Sequence, residues 1–577
     1  MEPVKFGSAP KYFWKPNSLS RGGAGPNQAG PSQPRVWNKR GTNGNRAVPV
    51  RDILCHEHPP TSFRSALFAV ASGIKPVPAA APNTRSLAAD FAGGIALYGI
   101  PIVTRLLAGT LVVPIYTRYL TPADYGVLEL LDLTSILFGT LIGIYFVQAV
   151  FYYYSAASDD AGRARSIGTA FYGSLLIAGL GLLLGWAGAK PVSRLIFGNT
   201  QQARLLLVAL ATIALSAVSE VGLCCLRTLD RRRTYAVVGV GRTLFGVACN
   251  LILLVGLHMG LAALVWGSMA VTIATAFCVT WVLLPWLRSP FDGGLFIKYV
   301  KYSWPLNLSA VAMLTLDLGD RYVLKHSVSL AQIGIYGLAY KFGMIVNAFS
   351  LVFNQFWRPR MFSLVKEPNG EALYARVYTY YLFTILYVVL GTIVVVCPVL
   401  RLVVGPGFED AAVYVPWIAL AYLLRLSGDF FRNAFYLNKR TGYEAKITWL
   451  GTVVCVIGYL TLIPPFKLWG AIWATGVAFG VMLVASLWTA QRVQYFHFEW
   501  RRVLLVAGCG LSLALLYLFV EPATARAQLI LGILFTACYP CILIVPGFLR
   551  DDEKRFLRAQ LVRLHGSRQR LRKAPLS

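Results

Sequence analysis

Apolar runs of about 20 residues recur from Phe91 almost to the C-terminus, separated by short polar stretches. A helix of that length crosses the ~30 Å hydrocarbon core of a bilayer. The pattern predicts fourteen spans, at 92–114, 127–150, 167–188, 204–226, 235–257, 260–284, 302–324, 334–357, 377–400, 411–435, 446–464, 469–489, 502–520 and 527–548. Spans 5 and 6 are separated only by a turn near His258. No connection exceeds about 20 residues, which leaves no room for an extramembrane catalytic domain. The expected fold class is therefore an all-α polytopic membrane protein. The first 90 residues are a different material, rich in Pro, Gly, Asn, Ser and Arg, and cannot bury enough apolar surface to offset chain entropy. Their one apolar patch, Ala66–Ile74, is too short to span and is followed by Lys75 and prolines, unlike a signal peptide. After Met1 the next methionine is Met259, so if the tail reflects a misassigned start, the true start uses another codon.

Composition sharpens the picture. The 577 residues are 56% hydrophobic and 14% charged, against about 25% charged in a soluble domain. A soluble enzyme is excluded, and so is a conventional nucleic-acid binder, despite a formal net charge of +29. Residues 1–90 carry 12 Lys+Arg and 4 acids, and residues 549–577 carry 9 and 3. With the N-terminus inside, the inner loops hold 19 Lys+Arg and the outer loops 8. That asymmetry follows the positive-inside rule and predicts two cytoplasmic termini. The longest outer connection, Lys190–Ala203, carries no acid. Cys538-Tyr-Pro-Cys541 has the spacing of a thiol redox motif but lies in an apolar stretch without the βαβ context. No metal-ligand or cofactor motif is present.

The chain also repeats itself. Thr121-Pro-Ala-Asp-Tyr-Gly126-Val127 follows span 1, and Ser329-Leu-Ala-Gln-Ile-Gly334-Ile335 follows span 7, 208 residues later. The exits Phe146-Val-Gln148 and Phe353-Asn-Gln355 correspond as well. Parallel repeats are typical of transporters whose site lies between two bundles. The expected organisation is a tail (1–90), an N-lobe of six helices (91–300), a C-lobe of six (301–490), two additional helices (491–548) and a basic cytoplasmic tail (549–577).

Leu111-Val-Val-Pro-Ile-Tyr-Thr-Arg-Tyr-Leu-Thr-Pro-Ala-Asp-Tyr-Gly126 resembles the opening of the polysaccharide-transporter, or oligosaccharide-flippase, family. That O-antigen-flippase-like family shares a superfamily with MATE multidrug exporters and lipid II flippases. Lys301-Tyr-Ser-Trp-Pro-Leu306, Asp320-Arg-Tyr-Val-Leu-Lys325 and Ile333-Gly-Ile-Tyr-Gly-Leu-Ala-Tyr-Lys341 resemble its middle signature, and the likeness covers about residues 90–490. The long N-terminal tail departs from the family pattern. The resemblance implies alternating access of two lobes around a central cavity. It also implies flipping of an undecaprenyl-diphosphate-linked oligosaccharide in capsule, exopolysaccharide or O-antigen (lipopolysaccharide) synthesis at the bacterial cytoplasmic, or inner, membrane. Membrane lipid, a polysaccharide polymerase and a chain-length regulator are the partners it suggests.

Ionisable groups within spans cost roughly 2.5–3.5 kcal/mol each near the bilayer centre, so each needs a reason. The candidates for the cavity are Arg105, Asp132, Gln148, Asp317, Asp320, Arg321, Lys341, Gln355, Arg425, Asp429 and Arg432. Glu220 and Arg242 lie at similar depth in a hairpin and read as a structural ion pair. Asp317 and Lys341 match in depth in the same way, as a pair or as separate cavity groups. Arg425, Asp429 and Arg432 share one helical face, and local pairing leaves one Arg over. Arg105 and Arg425 either pair and snorkel or hold a diphosphate, for which the planar guanidinium fork is suited. Asp317 and Asp320 are candidates for a coupling-cation site. Phe151-Tyr-Tyr-Tyr154 reads as an interfacial aromatic belt or a sugar-stacking surface, and Arg231-Arg-Arg233 as a topogenic loop. The alternative functions are a multidrug or organic-cation exporter, which favours an acidic cavity, a membrane glycan polymerase, which needs an exposed acidic motif, and a non-transporting scaffold in envelope assembly.

Overall fold

The computed structural model describes residues 100–544 apart from 102, 144–145, 365–368, 439 and 521–523. The two tails read from the sequence lie outside the described residues. Each of the fourteen predicted spans falls mostly on helical backbone where it is described, and among the described residues there is no strand. Nine helices there are long and apolar enough to cross a membrane. Large apolar side chains such as Trp186, Phe277, Trp281, Leu504 and Phe519 point outward, as a lipid-facing surface requires. The chain is a polytopic, all-α membrane protein.

A helical run over 103–111 leads into α1 (Val113–Tyr119). Next come α2 (Pro122–Leu141), α3 (Val147–Ala156), α4 (Asp160–Phe197) and α5 (Ala203–Thr228). A hairpin of α6 (Arg232–Leu251) and α7 (Leu261–Leu283) follows. The second half begins with α8 (Gly293–Leu318), α9 (Asp320–Leu324), α10 (Leu330–Gly343) and α11 (Ile345–Leu364). Helices α12 (Gly370–Gly391) and α13 (Cys397–Val403) precede α14 (Ala411–Leu437) and α15 (Gly442–Val493). The chain ends on α16 (Trp500–Phe519) and α17 (Ala525–Ile544).

Several spans expected to be continuous are broken. Span 2 divides into α2 and α3 beyond Gly143, whose φ of +83° suits glycine rather than a β-substituted residue. Span 7 divides at Gly319 and span 8 at Met344. Span 9 widens into a π-turn over Thr392–Val396 just before Pro398, which has no N–H to continue an α ladder. Spans 11 and 12 are both carried by α15, which folds back on itself at Lys467 (φ 53°) after Pro464 and Pro465. The outer connection expected over Lys190–Ala203 is mostly helix, because α4 continues to Phe197 and stops at Gly198 in the left-handed region.

The repeated motifs start two equivalent helices. Thr121 caps α2, accepting from the Asp124 N–H at 3.2 Å while Asp124 accepts from the Thr121 N–H at 3.1 Å. Ser329 and Gln332 form the same reciprocal box at the start of α10, at 3.3 Å each way. These two helix starts then pack on each other. A Cβ on Gly126 would lie 1.9 Å from the Leu330 carbonyl oxygen, and one on Gly334 2.0 Å from that of Pro122. Only residues without a side chain allow that approach. Gly405 seals the same end, donating its N–H to Thr117 Oγ1 at 3.0 Å, and Phe408 packs edge-on against Tyr125 at 5.6 Å. Beyond the crossing, α3 packs with α4, α5 and α8 in one core, while α11 packs with α12 and α14 in another.

Candidate functional site

One face of α2 carries Tyr125, Glu129 and Asp132, at helical i, i+4 and i+7. Gly337 of α10 makes room for the acid, since a Cβ there would lie 2.5 Å from Glu129 Cγ and Cδ. Lys341, one turn further along α10, places Nζ 3.2 Å from Glu129 Oε1, a charge contact without hydrogen-bond alignment. The same ammonium donates to Tyr125 Oη at 3.0 Å. On its other side Glu129 lies 3.8 Å from Arg321 Nε. Arg321 is fully buried, donates to Asp320 at 2.7 Å and lies over the Tyr340 ring at 4.3 Å. Asp320 also accepts from Tyr336 Oη at 2.5 Å. One charge network therefore joins α2 to α9 and α10. It is formally neutral over Glu129, Lys341, Arg321 and Asp320.

Asp317 does not pair with Lys341, contrary to the depth match in the sequence. It takes Arg425 of α14 instead, with Tyr422 Oη donating to the same carboxylate at 3.3 Å. Nor is one arginine left over on α14. Arg432 is held by Asp429 and by Glu444, the latter at 3.0 Å. Both arginines are buried, because acids from neighbouring elements complete what the local spacing left unpaired. Asp320 is taken up by Arg321 and Tyr336 rather than left open to a cation.

Two contiguous cavities flank α2. The larger, of about 660 Å³, is lined by Arg105, Asp132, Glu220, Arg242 and Lys341, with Tyr116, Asn250 and several hydroxyls. The smaller, of about 420 Å³, shares Asp132 and Lys341 and adds Glu129, Asp317, Arg321 and Tyr340. Arg242 Nη1 donates to Glu220 at 2.6 Å in the wall of the larger one. Asn250 donates to Tyr116 Oη at 2.9 Å above them, in space that Gly267 leaves open. Among the described residues, Arg105 and Asp132 have no ion-pair partner. Gln148 is exposed on α3 and lines neither cavity. The Gln355 side chain lies outside the described residues.

Sequence reasoning missed Glu129, the hub of the network. It lies inside span 2 but only two residues from its predicted end, where a carboxylate passes for an interfacial group. The tyrosines at 125, 336, 340 and 422 were missed because aromatic residues in apolar helices read as core. Among the described residues, no cluster of His, Cys, Asp and Glu is arranged to hold a metal ion. Phe151-Tyr-Tyr-Tyr154 falls on α3, where Tyr152 stacks on Tyr302 at 5.4 Å.

These features define a multi-pass membrane protein with a charged internal cavity. The fold is shared with solved transporters. The lipid II flippase MurJ in an inward closed conformation aligns over 78% of this chain and 98% of its own, with a TM-score of 0.59 and 13% identity. An inward-facing MATE family multidrug resistance transporter of the MOP superfamily aligns over 69% and 98%, with a TM-score of 0.54 and 14% identity. No curated protein matches the chain. The model of the family described as polysaccharide biosynthesis protein matches residues 115–413, more than half the chain, and the chain belongs to that family.

Proposed function

We propose that the protein is a flippase, not an enzyme. Its cargo is an undecaprenyl-diphosphate-linked oligosaccharide repeat unit, moved across the bacterial cytoplasmic membrane by alternating access of two six-helix lobes. The observation that carries this reading is Arg105, a guanidinium on the larger cavity with no acid partner among the described residues. With Lys341 met by Glu129 and Arg242 by Glu220, Arg105 is the one cation on that cavity's lining without an acid in ion-pair contact among the described residues. Uncompensated positive charge in a low-dielectric cavity favours an anionic headgroup. Membership in a polysaccharide biosynthesis family supports a glycan as the rest of the cargo. With both termini cytoplasmic, the α2–α10 crossing closes the outer side. A polymerase and a chain-length regulator are the partners such an exporter would serve.

The second reading is an organic-cation exporter, favoured by Asp132, which faces both cavities with no ion-pair partner among the described residues. The deciding experiment is glycan export in a strain lacking the protein. Arg105→Ala should insert at the normal level and lower export at least tenfold. Undiminished export with Arg105→Ala would end the anionic-headgroup reading.

A further inference from the structure

A third cavity, of about 510 Å³, shares Arg105, Glu220 and Arg242 with the larger of the two above and runs toward the end of the bundle remote from the α2–α10 crossing. Arg227 lies in its wall, in the last turn of α5. Its guanidinium carbon lies over two rings, 5.7 Å from the centroid of Phe151 and 5.5 Å from that of Tyr235. Its Nε is buried without a hydrogen-bond partner, and no described carboxylate lies within ion-pair distance. The nearby acid, Asp230, is engaged by Arg232 at 2.6 Å. Arg242 is committed to Glu220. The cavity therefore presents two guanidinium groups that no described acid pairs with, Arg105 on the wall it shares with the larger cavity and Arg227 in the last turn of α5. Cation–π contact attracts a guanidinium to a ring without using its N–H donors. Those donors are what a bidentate phosphate contact needs.

We propose that Arg227 is an entry site for a diphosphate group carried on a lipid, from which the headgroup passes to Arg105. Arg227, Phe151 and Tyr235 come from three different helices, so the site exists only when the first half of the chain is folded. The occupant rests on the flippase reading; the anion site itself rests on the cavity. Two lipids share the chemistry, the diphosphate cargo and bulk anionic phospholipid.

Farnesyl diphosphate binding to the full chain, purified in a neutral detergent, tests this, with farnesol and phosphatidylglycerol as competitors. Arg227→Ala should weaken farnesyl diphosphate binding about tenfold, and Arg227→Lys should recover part of the loss. Tyr235→Leu, which removes one ring and no charge, should weaken it less. Farnesol and phosphatidylglycerol should not displace the probe. Binding to the parent protein that is unchanged in both Arg227→Ala and Tyr235→Leu overturns the entry site and leaves the flippase reading standing. Displacement by phosphatidylglycerol at equal concentration overturns it in favour of a phospholipid site. No binding to the parent protein at all overturns both.

Discussion

Gly126 and Gly334 hold equivalent positions in two copies of one motif, and each clears the space that the backbone of the other's helix fills. The contact is reciprocal, with Gly126 under the Leu330 carbonyl and Gly334 under that of Pro122. A methyl group at either position forces the two helices apart. Gly126→Ala and Gly334→Ala should each cost on the order of 1–3 kcal/mol, as overpacking does, and the double substitution should cost less than their sum. Thermal unfolding in detergent measures both. Equal stability of parent and variants would mean that the crossing opens without penalty.

Glu129 serves two cations, Lys341 at 3.2 Å and Arg321 at 3.8 Å. Removing the acid leaves Lys341 without a carboxylate and Arg321 with Asp320 alone, whereas removing Lys341 leaves Glu129 beside Arg321. Glu129→Gln should therefore destabilise more than Lys341→Met, by about 3 kcal/mol for a largely buried partner lost. In a double-mutant cycle Lys341→Met should recover part of that loss, while Arg321 stays with Asp320. Additive effects would show that the two groups do not interact.

Arg425 is a structural group in this arrangement. Its charge is met by Asp317 and its side chain is buried against Tyr422 and Phe479. Arg425→Leu should lower the amount of protein in the membrane, because Asp317 is left uncompensated. Arg425→Leu with Asp317→Leu should restore it, since replacing a buried pair with apolar groups is often neutral. Quantitative immunoblotting of membranes distinguishes this from a headgroup role, in which Arg425→Leu keeps its level and loses export.

Asp132 separates the two cargo readings. An anionic headgroup is repelled by it, so Asp132→Asn should leave glycan export intact or raise it up to a few-fold. An organic cation needs it, so drug resistance conferred by the protein should vanish in Asp132→Asn. Parallel export and drug-susceptibility assays read both outcomes.

Much of the fold was legible because a membrane helix announces itself locally. Twenty apolar residues must be satisfied within their own backbone, wherever their neighbours are. The breaks were less legible. Gly143 ends the first part of span 2 and Met344 divides span 8, and neither a lone glycine nor a methionine in an apolar run advertises a break. The costly residues of the site were also visible, each a charge in an apolar run, but their partners were not. Asp317 has Arg321 four residues away and Lys341 one helix on, yet pairs with Arg425, 108 residues distant. Pairing between helices follows their rotation and tilt, which depend on contacts such as Gly126 on Leu330 rather than on depth alone.

Helix α4 has 38 residues and is about 57 Å long at 1.5 Å per residue. Its uncharged middle, residues 167–188, measures about 33 Å, close to a hydrocarbon core of ~30 Å. Exposed Arg163 and Arg165 collar it on one side, and exposed Lys190 and Arg194 on the other. Sliding the helix along the membrane normal drags one collar into lipid whichever way it moves. The helix is thus fixed in depth like a float with ballast at both ends, and it leaves tilting as the low-cost motion for the helices packed against it.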